Sequence, residues 1–323
     1  MTPPDRESVP RWISRLLAKK RRLVIWAVVA IGAVVLAFVQ PWVSDPIQPN
    51  HSVRYLGVYE PGAPATYAGV DQFAHAIGRQ PNLVIYYSRW LEAFQVGFAT
   101  SAAKHGATTV VQIDPDNVSL TRIASGQYDA YLRSYAAAVK AFGAKVVLSF
   151  GHEMNGYWST WGYHHTSPAV FVAAWRHIVS VFRAVGAENV IWLWTVNIVD
   201  NVPIPDPAPW WPGRPYVTWV GIDGYYYTSS SNFSQVFGPT IVDVRTLTGD
   251  PILIAEIGAS LAAGQPAKIT DLFAGIQTYG LLGFVWFDAD VPSASNGVSQ
   301  DWRLDSTGLV SFRRDANAFM RSP

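Results

Sequence analysis

Glu153 follows an apolar run, Val146 to Phe150, and stands among groups able to do chemistry: His152, Asn155, Trp158 and Trp161, spaced by Gly151, Gly156 and Gly162. Glu256 repeats the pattern, because Pro251-Ile252-Leu253-Ile254-Ala255 runs into this single carboxylate and then into Ile257-Gly258. A lone glutamate beyond a strand often caps a helix or pairs with an arginine, so the repetition carries the reading. Two acids that converge on one site divide into a proton donor and a nucleophile, the division a retaining glycosidase needs. One must be protonated for the leaving oxygen, and the other ionised to attack the anomeric carbon.

Groups so far apart in the chain meet only if the elements beneath them bring them together. Continuous Val/Ile/Leu runs mark parallel strands buried on both faces, and in α/β barrels the working side chains sit at the C-terminal ends of the strands. Such runs recur at Val53–Val58, Leu83–Tyr87, Thr108–Ile113, Val146–Phe150, Asn189–Thr195, Trp219–Asp223, Ile252–Ala255 and Leu282–Phe287. Helical patterns lie between them at Tyr67–Gly78, Leu91–His105 and Tyr128–Phe142. The longest opens at Ser167-Pro168, with proline at the first helical position, and runs to Val185 before Gly186. Eight βα units in series predict a (β/α)8 TIM barrel, with Glu153 after strand four and Glu256 on strand seven. A doubly wound sheet is the alternative, but no glycine-rich phosphate turn follows the first strand. Between strands five and six, five prolines among residues 202–213 stiffen a loop, and its Trp210-Trp211 pair serves either as rim packing or as a sugar platform.

The 323 residues suffice for one such domain, and 14% of them are aromatic, more than a core alone requires. The net charge of +1, without a basic patch beyond the N-terminal tail, argues against nucleic acid. With no cysteine there is no disulfide, thiolate nucleophile or Cys-bound metal. The neighbours His164-His165 do not form a helical metal pair, so no metal and no cofactor is expected. Asp288 and Asp290, beyond strand eight, are candidates for an ion or for substrate hydroxyls.

Residues 1–22 form a basic tail ending in Lys19-Lys20-Arg21-Arg22, and the charge-free stretch Leu23–Val39 follows. The positive-inside rule predicts a transmembrane anchor over residues 23–42, a single-pass plasma-membrane protein with a cytoplasmic N-terminus, and an extracytoplasmic domain at 53–323 after a stiff linker at 43–52. A cleaved signal peptide is the rival, and it lacks a convincing small-x-small site.

The assembled residues resemble glycoside hydrolase family 26, (β/α)8 retaining enzymes of the β-mannanase type. The most specific match is Gly151-His152-Glu153-Met154-Asn155-Gly156 with Trp158 and Trp161-Gly162. Further matches are Trp175-Arg176-His177-Ile178, Asn189-Val190-Ile191-Trp192 through Asn197, Gly221-Ile222-Asp223-Gly224-Tyr225, Ile254-Ala255-Glu256-Ile257-Gly258 and Asp301-Trp302-Arg303. The resemblance implies that Glu153 is the acid/base and Glu256 the nucleophile. It also implies that Tyr225 hydrogen-bonds the nucleophile, that His152 lines the sugar site, and that Trp158 and Trp286 wall the substrate. Trp161 is a further stacking candidate, and Asp223 a carboxylate that braces the site rather than reacting. The expected partner is a β-linked polysaccharide of the mannan or glucan type. A barrel that binds carbohydrate without turnover, and a transglycosylase acting on an exported polymer, are the alternatives.

Overall fold

The computed structural model describes residues 53–199, 204–291 and 300–321. The expected tail, anchor and linker, all before residue 53, lie outside the described residues.

Eight parallel strands close into a barrel in sequence order: β1 (Tyr55–Tyr59), β2 (Leu83–Arg89), β3 (Thr108–Asp114), β4 (Val146–Phe150), β5 (Val190–Asn197), β6 (Trp219–Asp223), β7 (Ile252–Ile257) and β8 (Gly283–Phe287). The helices α1 (Ala68–Ile77), α2 (Val96–Lys104), α3 (Leu120–Ala124), α4 (Asp129–Phe142), α5 (Pro168–Val185), α6 (Phe233–Leu247), α7 (Gln265–Thr278) and α8 (Ser306–Phe319) pack outside it. The (β/α)8 expectation holds. A short ribbon of β9 (Asp290–Val291) and β10 (Gln300–Asp301) follows β8.

Side chains alternate across a strand, and here the alternation sorts two cores. Leu83, Ile85, Val110, Val147, Ile191, Leu193, Leu253, Ala255 and Val285 fill the lumen. Their neighbours Val84, Val111, Leu148, Trp192, Val220, Ile254 and Phe284 face the helices. The lumen tolerates little at some points: a Cβ on Gly221 would lie 2.5 Å from Thr195 Oγ1. Only a residue without a side chain fits there.

Helix α5 starts and stops where the sequence says, at Pro168 and before Gly186, which takes φ 79°. Among the described residues it is the one helix long and apolar enough to cross a membrane, yet it is a barrel helix whose Phe171, Trp175, Ile178 and Phe182 are buried in the outer core. The helix expected from Leu91 begins only at Val96. Leu91 takes a left-handed φ of 74°, and the Glu92 carboxylate accepts the Arg89 N–H at 2.9 Å, so a side-chain-stabilised turn precedes the helix.

Candidate active site at the strand ends

Strand β4 ends at Phe150, and the chain then turns tightly, with Gly151 at φ 56° and Glu153 at φ 53°. A left-handed glutamate is uncommon and is held only where the surroundings over-determine it. Here the Glu153 N–H donates to Thr195 O of β5 at 3.0 Å. Asn155, fully buried, ties the same turn to β5 twice: its Nδ2 donates to Asn197 O, and its Oδ1 accepts the Asn197 N–H, both at 2.9 Å. Asn197 Nδ2 then donates to Glu153 Oε1 at 2.5 Å, and Trp158 Nε1 to Oε2 at 2.7 Å.

Glu256 reaches the mouth through an irregularity. On β7, Ala255 points into the lumen, and strict alternation would send Glu256 outward to the helices. The pairing of β7 shifts register on both flanks, against β6 between Ile222 and Asp223 and against β8 between Ile254 and Ile257 of β7 itself. Ile257 therefore faces the outer core, and Glu256 is released to the mouth, as bulges beside active sites re-aim a side chain. There Tyr225 donates its hydroxyl to Oε2 at 2.7 Å, and Tyr87, from β2, donates to Oε1. Two hydroxyl donors, one per oxygen, complement an ionised carboxylate.

One oxygen from each of Glu153, Asp223 and Glu256 lies within 4.8 Å of the others. A carboxyl separation of about 5 to 5.5 Å belongs to double displacement, whereas one of about 6.5 to 9.5 Å leaves room for a water and inversion. Burial, and then repulsion from Glu256, push the Glu153 carboxyl up to about 7, against the pull of His152, Asn197 and Trp158. Neither Asn197 Nδ2 nor Trp158 Nε1 can accept a hydrogen bond, so a proton on Glu153 has no acceptor among those partners and remains available to an incoming oxygen.

His152 Nδ1 meets Asp114 Oδ1 at 3.0 Å. Burial alone would lower its pKa, but the charge and hydrogen bond of Asp114, with Glu256 and Glu153 behind, raise it to about 10. His152 is thus a cation beside the two glutamates. Asp223 lies beneath them, fully buried, and burial followed by Glu256 and Glu153 holds its carboxyl well above the usual range. It braces nothing, contrary to expectation: neither oxygen has a hydrogen-bond partner among the described residues. The three carboxyl groups are also the residues that could hold a cation. Such an ion would compete with the Asn, Trp and Tyr donors already on both glutamates.

The structure brings His152, Glu153, Trp158, Tyr225, Asp223 and Glu256 together, and it removes two expected contacts. Trp286 is fully buried and packs edge-on against Phe312 of α8, with ring centroids 5.7 Å apart. Val285 fills the lumen, so its neighbour must face the helices. The aromatic at the mouth is the next residue, Phe287, stacked on Tyr59 at 4.5 Å. Trp161 is 5% exposed, and its Nε1 donates to His152 O at 2.7 Å, so it supports the turn instead of presenting a stacking face. Of the loop pair, Trp210 is buried and Trp211 packs on Trp194 at 5.0 Å, which is packing, not a platform. Asp288 accepts the Leu304 N–H at 2.8 Å and shares a hydrogen bond with Glu60. Tyr87, Asp114, Asn155 and Asn197 were not assigned roles from sequence. Asn155 and Asn197 lay inside matched motifs, whereas Tyr87 and Asp114 lay at or near the ends of strands with no motif around them.

Residues 95–266 match the family described as glycosyl hydrolase family 26, a span that holds both glutamates, the β4 turn and Tyr225. The chain belongs to glycosyl hydrolase family 26. Within this family setting, it is 29% identical over 324 residues to endoglucanase H of Acetivibrio thermocellus, an alignment covering 94% of this chain and 34% of that protein. A mannan endo-1,4-beta-mannosidase of Bifidobacterium adolescentis is 27% identical over 150 residues, covering 42% of this chain and 15% of the relative. The chain thus spans about a third or less of the length of these two relatives. The catalytic domain of a family 26 endo-beta-1,4-mannanase from Bacillus sp. JAMB-750 superposes with a TM-score of 0.62 at 14% identity, covering 83% of this chain and 87% of that one. The family 26 domain of an endo-beta-mannanase/endo-beta-glucanase from Prevotella bryantii gives 0.59 at 14% identity, with 82% and 89% covered. At such identities these likenesses show the shared barrel.

Proposed function

We propose that this family 26 chain is a retaining β-glycoside hydrolase acting on a β-linked polysaccharide of the mannan or glucan type, anchored in the plasma membrane with its barrel outside the cytoplasm. The observation that carries the reaction is that one oxygen of Glu153 and one of Glu256 lie within 4.8 Å of each other, each carboxyl held by two hydrogen-bond donors. An oxygen of Glu256 attacks the anomeric carbon as the glycosidic C–O bond breaks, and Glu153 gives its proton to the departing oxygen. Glu153, now ionised, takes a proton from water, and that water's oxygen displaces Glu256 from the sugar. Tyr87 and Tyr225 hold the nucleophile, and Trp158, 45% exposed beside the acid, offers a face to the leaving sugar. The names of the relatives support the polymer class, and the basic tail before the apolar stretch supports the anchor.

The test is hydrolysis of a panel of mannan, mixed-linkage β-glucan and xylan by the wild type and by Glu256→Ala. The expected result is reducing ends from mannan or glucan with the wild type alone. No product from any polymer, with binding retained by both proteins, would mean a carbohydrate-binding barrel. Products longer than the substrate, by mass spectrometry, would mean transglycosylation.

A further inference from the structure

The sequence shows no basic cluster beyond the tail, but the fold assembles one. Every strand begins, and every barrel helix ends, on the face opposite the active-site mouth. Lys104 closes α2, Lys140 and Arg183 lie in the last turns of α4 and α5, Arg245 lies in that of α6, Lys145 precedes β4, and Arg321 follows α8. All six are exposed. The acids near this end, among the described residues, include Glu188, Asp243 two residues before Arg245, Asp71, which pairs with His105 beside Lys104 at 3.4 Å, and Asp250, buried with Arg214 3.6 Å away, and the cations outnumber them.

Helix dipoles favour cations at helix C-termini, which accounts for Lys104, Lys140, Arg183 and Arg245. It does not account for Lys145 or for Arg54, which precede strands. Lys140 donates to Val185 O at 2.9 Å and Arg245 to Asp250 O at 2.6 Å, both neutral carbonyl oxygens. These bonds fix Lys140 and Arg245 in place, and the carbonyl oxygens themselves carry no charge that would cancel the cations; the Asp250 carboxylate lies near Arg245. Arg54 and Arg245 also line a pocket of about 220 Å3 floored by Ile276, Leu281, Leu282 and Phe319. The described chain enters the barrel on this same face, at Val53.

We infer that the face of the barrel opposite the mouth docks on an anionic lipid bilayer, with a headgroup phosphate seated between Arg54 and Arg245. The inference rests on the reading of residues 23–42 as a membrane span. It adds an orientation to it: the barrel lies on the bilayer with the catalytic mouth turned away, toward polymer arriving from outside. Basic residues near an anionic surface strengthen adsorption roughly fivefold each, and the effect fades within a Debye length.

The chain has no cysteine, so single labels are clean. The whole chain carrying Thr278→Cys, at the C-terminal end of α7 on the docking face, or Ala262→Cys, beyond β7 at the mouth, is reconstituted in vesicles containing an acceptor-labelled lipid. Energy transfer from the Thr278 position is expected to exceed that from Ala262 in phosphatidylglycerol vesicles. It should collapse toward the Ala262 level in 0.5 M salt, in pure phosphatidylcholine, and in the Lys140→Glu/Lys145→Glu/Arg183→Glu/Arg245→Glu protein, whose folding is checked by circular dichroism. Transfer that is equal in the two lipids and indifferent to salt overturns the docking face. Flotation with vesicles after alkaline carbonate extraction reports the span alone, so its loss overturns the anchor while the salt-sensitive transfer still decides the face.

Discussion

Tyr87 donates its hydroxyl to Oε1 of Glu256 across the barrel mouth, from near the end of β2 to β7, while Tyr225 serves Oε2 at 2.7 Å. The nucleophile is therefore oriented from two sides by groups that cannot change charge near neutral pH, since burial and the charge of Glu256 push both phenols well above their usual range. Removing one donor leaves a buried carboxylate half-satisfied, which costs about 1 to 3 kcal/mol. Tyr87→Phe is expected to lower kcat about 10- to 100-fold and folding stability by about 1 to 3 kcal/mol, and Tyr225→Phe to do the same. Steady-state kinetics beside a melting curve checks this. A Tyr87→Phe protein with unchanged kcat would place that residue outside the machinery.

Glu153 must be protonated to act, and its pKa is raised to about 7 by burial and by Glu256. The alkaline limb of kcat/KM should therefore fall through about pH 7. Glu153→Gln should abolish that limb along with about 10²- to 10⁴-fold of the rate on polymer, and lose far less on an aryl glycoside whose leaving group needs no proton. A limb that persists in Glu153→Gln would assign it to another group.

Trp158 and Trp286 should behave oppositely. Trp286 lies in the outer core against Phe312, so Trp286→Ala should destabilise the barrel by about 3 to 5 kcal/mol with KM unchanged in whatever fraction remains folded. Trp158 is 45% exposed and hydrogen-bonded to Glu153. Trp158→Phe should raise KM and shift the alkaline limb upward, because a donor to the charged form of Glu153 is lost, while the melting temperature stays put.

Glu60, after β1, and Asp288, after β8, share a hydrogen bond, and burial followed by the Asp288 charge raises Glu60 from 4.5 to about 8. The folded state thus holds a proton that the unfolded chain releases. Stability from this pair is present in full below about pH 4.5 and is lost as pH rises through about 8. Denaturant midpoints should decline across that window, and Glu60→Gln, which keeps a hydrogen-bond donor without titrating, should flatten the decline. An unchanged slope in Glu60→Gln would remove the pair from the account.

The barrel was legible because continuous apolar runs separated by helical repeats admit few topologies, and both glutamates were legible because each interrupts such a run. The route by which Glu256 reaches the mouth was not, because the register shifts beside Asp223 and Ile257 depend on neighbouring strands. Counting alternation from Leu253 sends Glu256 outward. Trp286 failed for the complementary reason: its neighbour Val285 takes the lumen, so the face of β8 is decided by parity rather than by residue type. Tyr87, two residues before the end of β2, and Asp114, the last residue of β3, lie far from either motif, and only barrel closure sets one on Glu256 and the other on His152. The cations opposite the mouth are scattered in the chain, and only the common direction of the helices gathers them.

The convergence of Glu153 and Glu256, with one oxygen of each within 4.8 Å, is tested most directly by the anomeric configuration of the first product, followed by proton NMR during the opening minutes of oligosaccharide hydrolysis. The account predicts the β-anomer first, with the α-anomer appearing only as mutarotation proceeds. The α-anomer first would mean that water attacks the sugar directly, and Glu256 would lose its role as nucleophile.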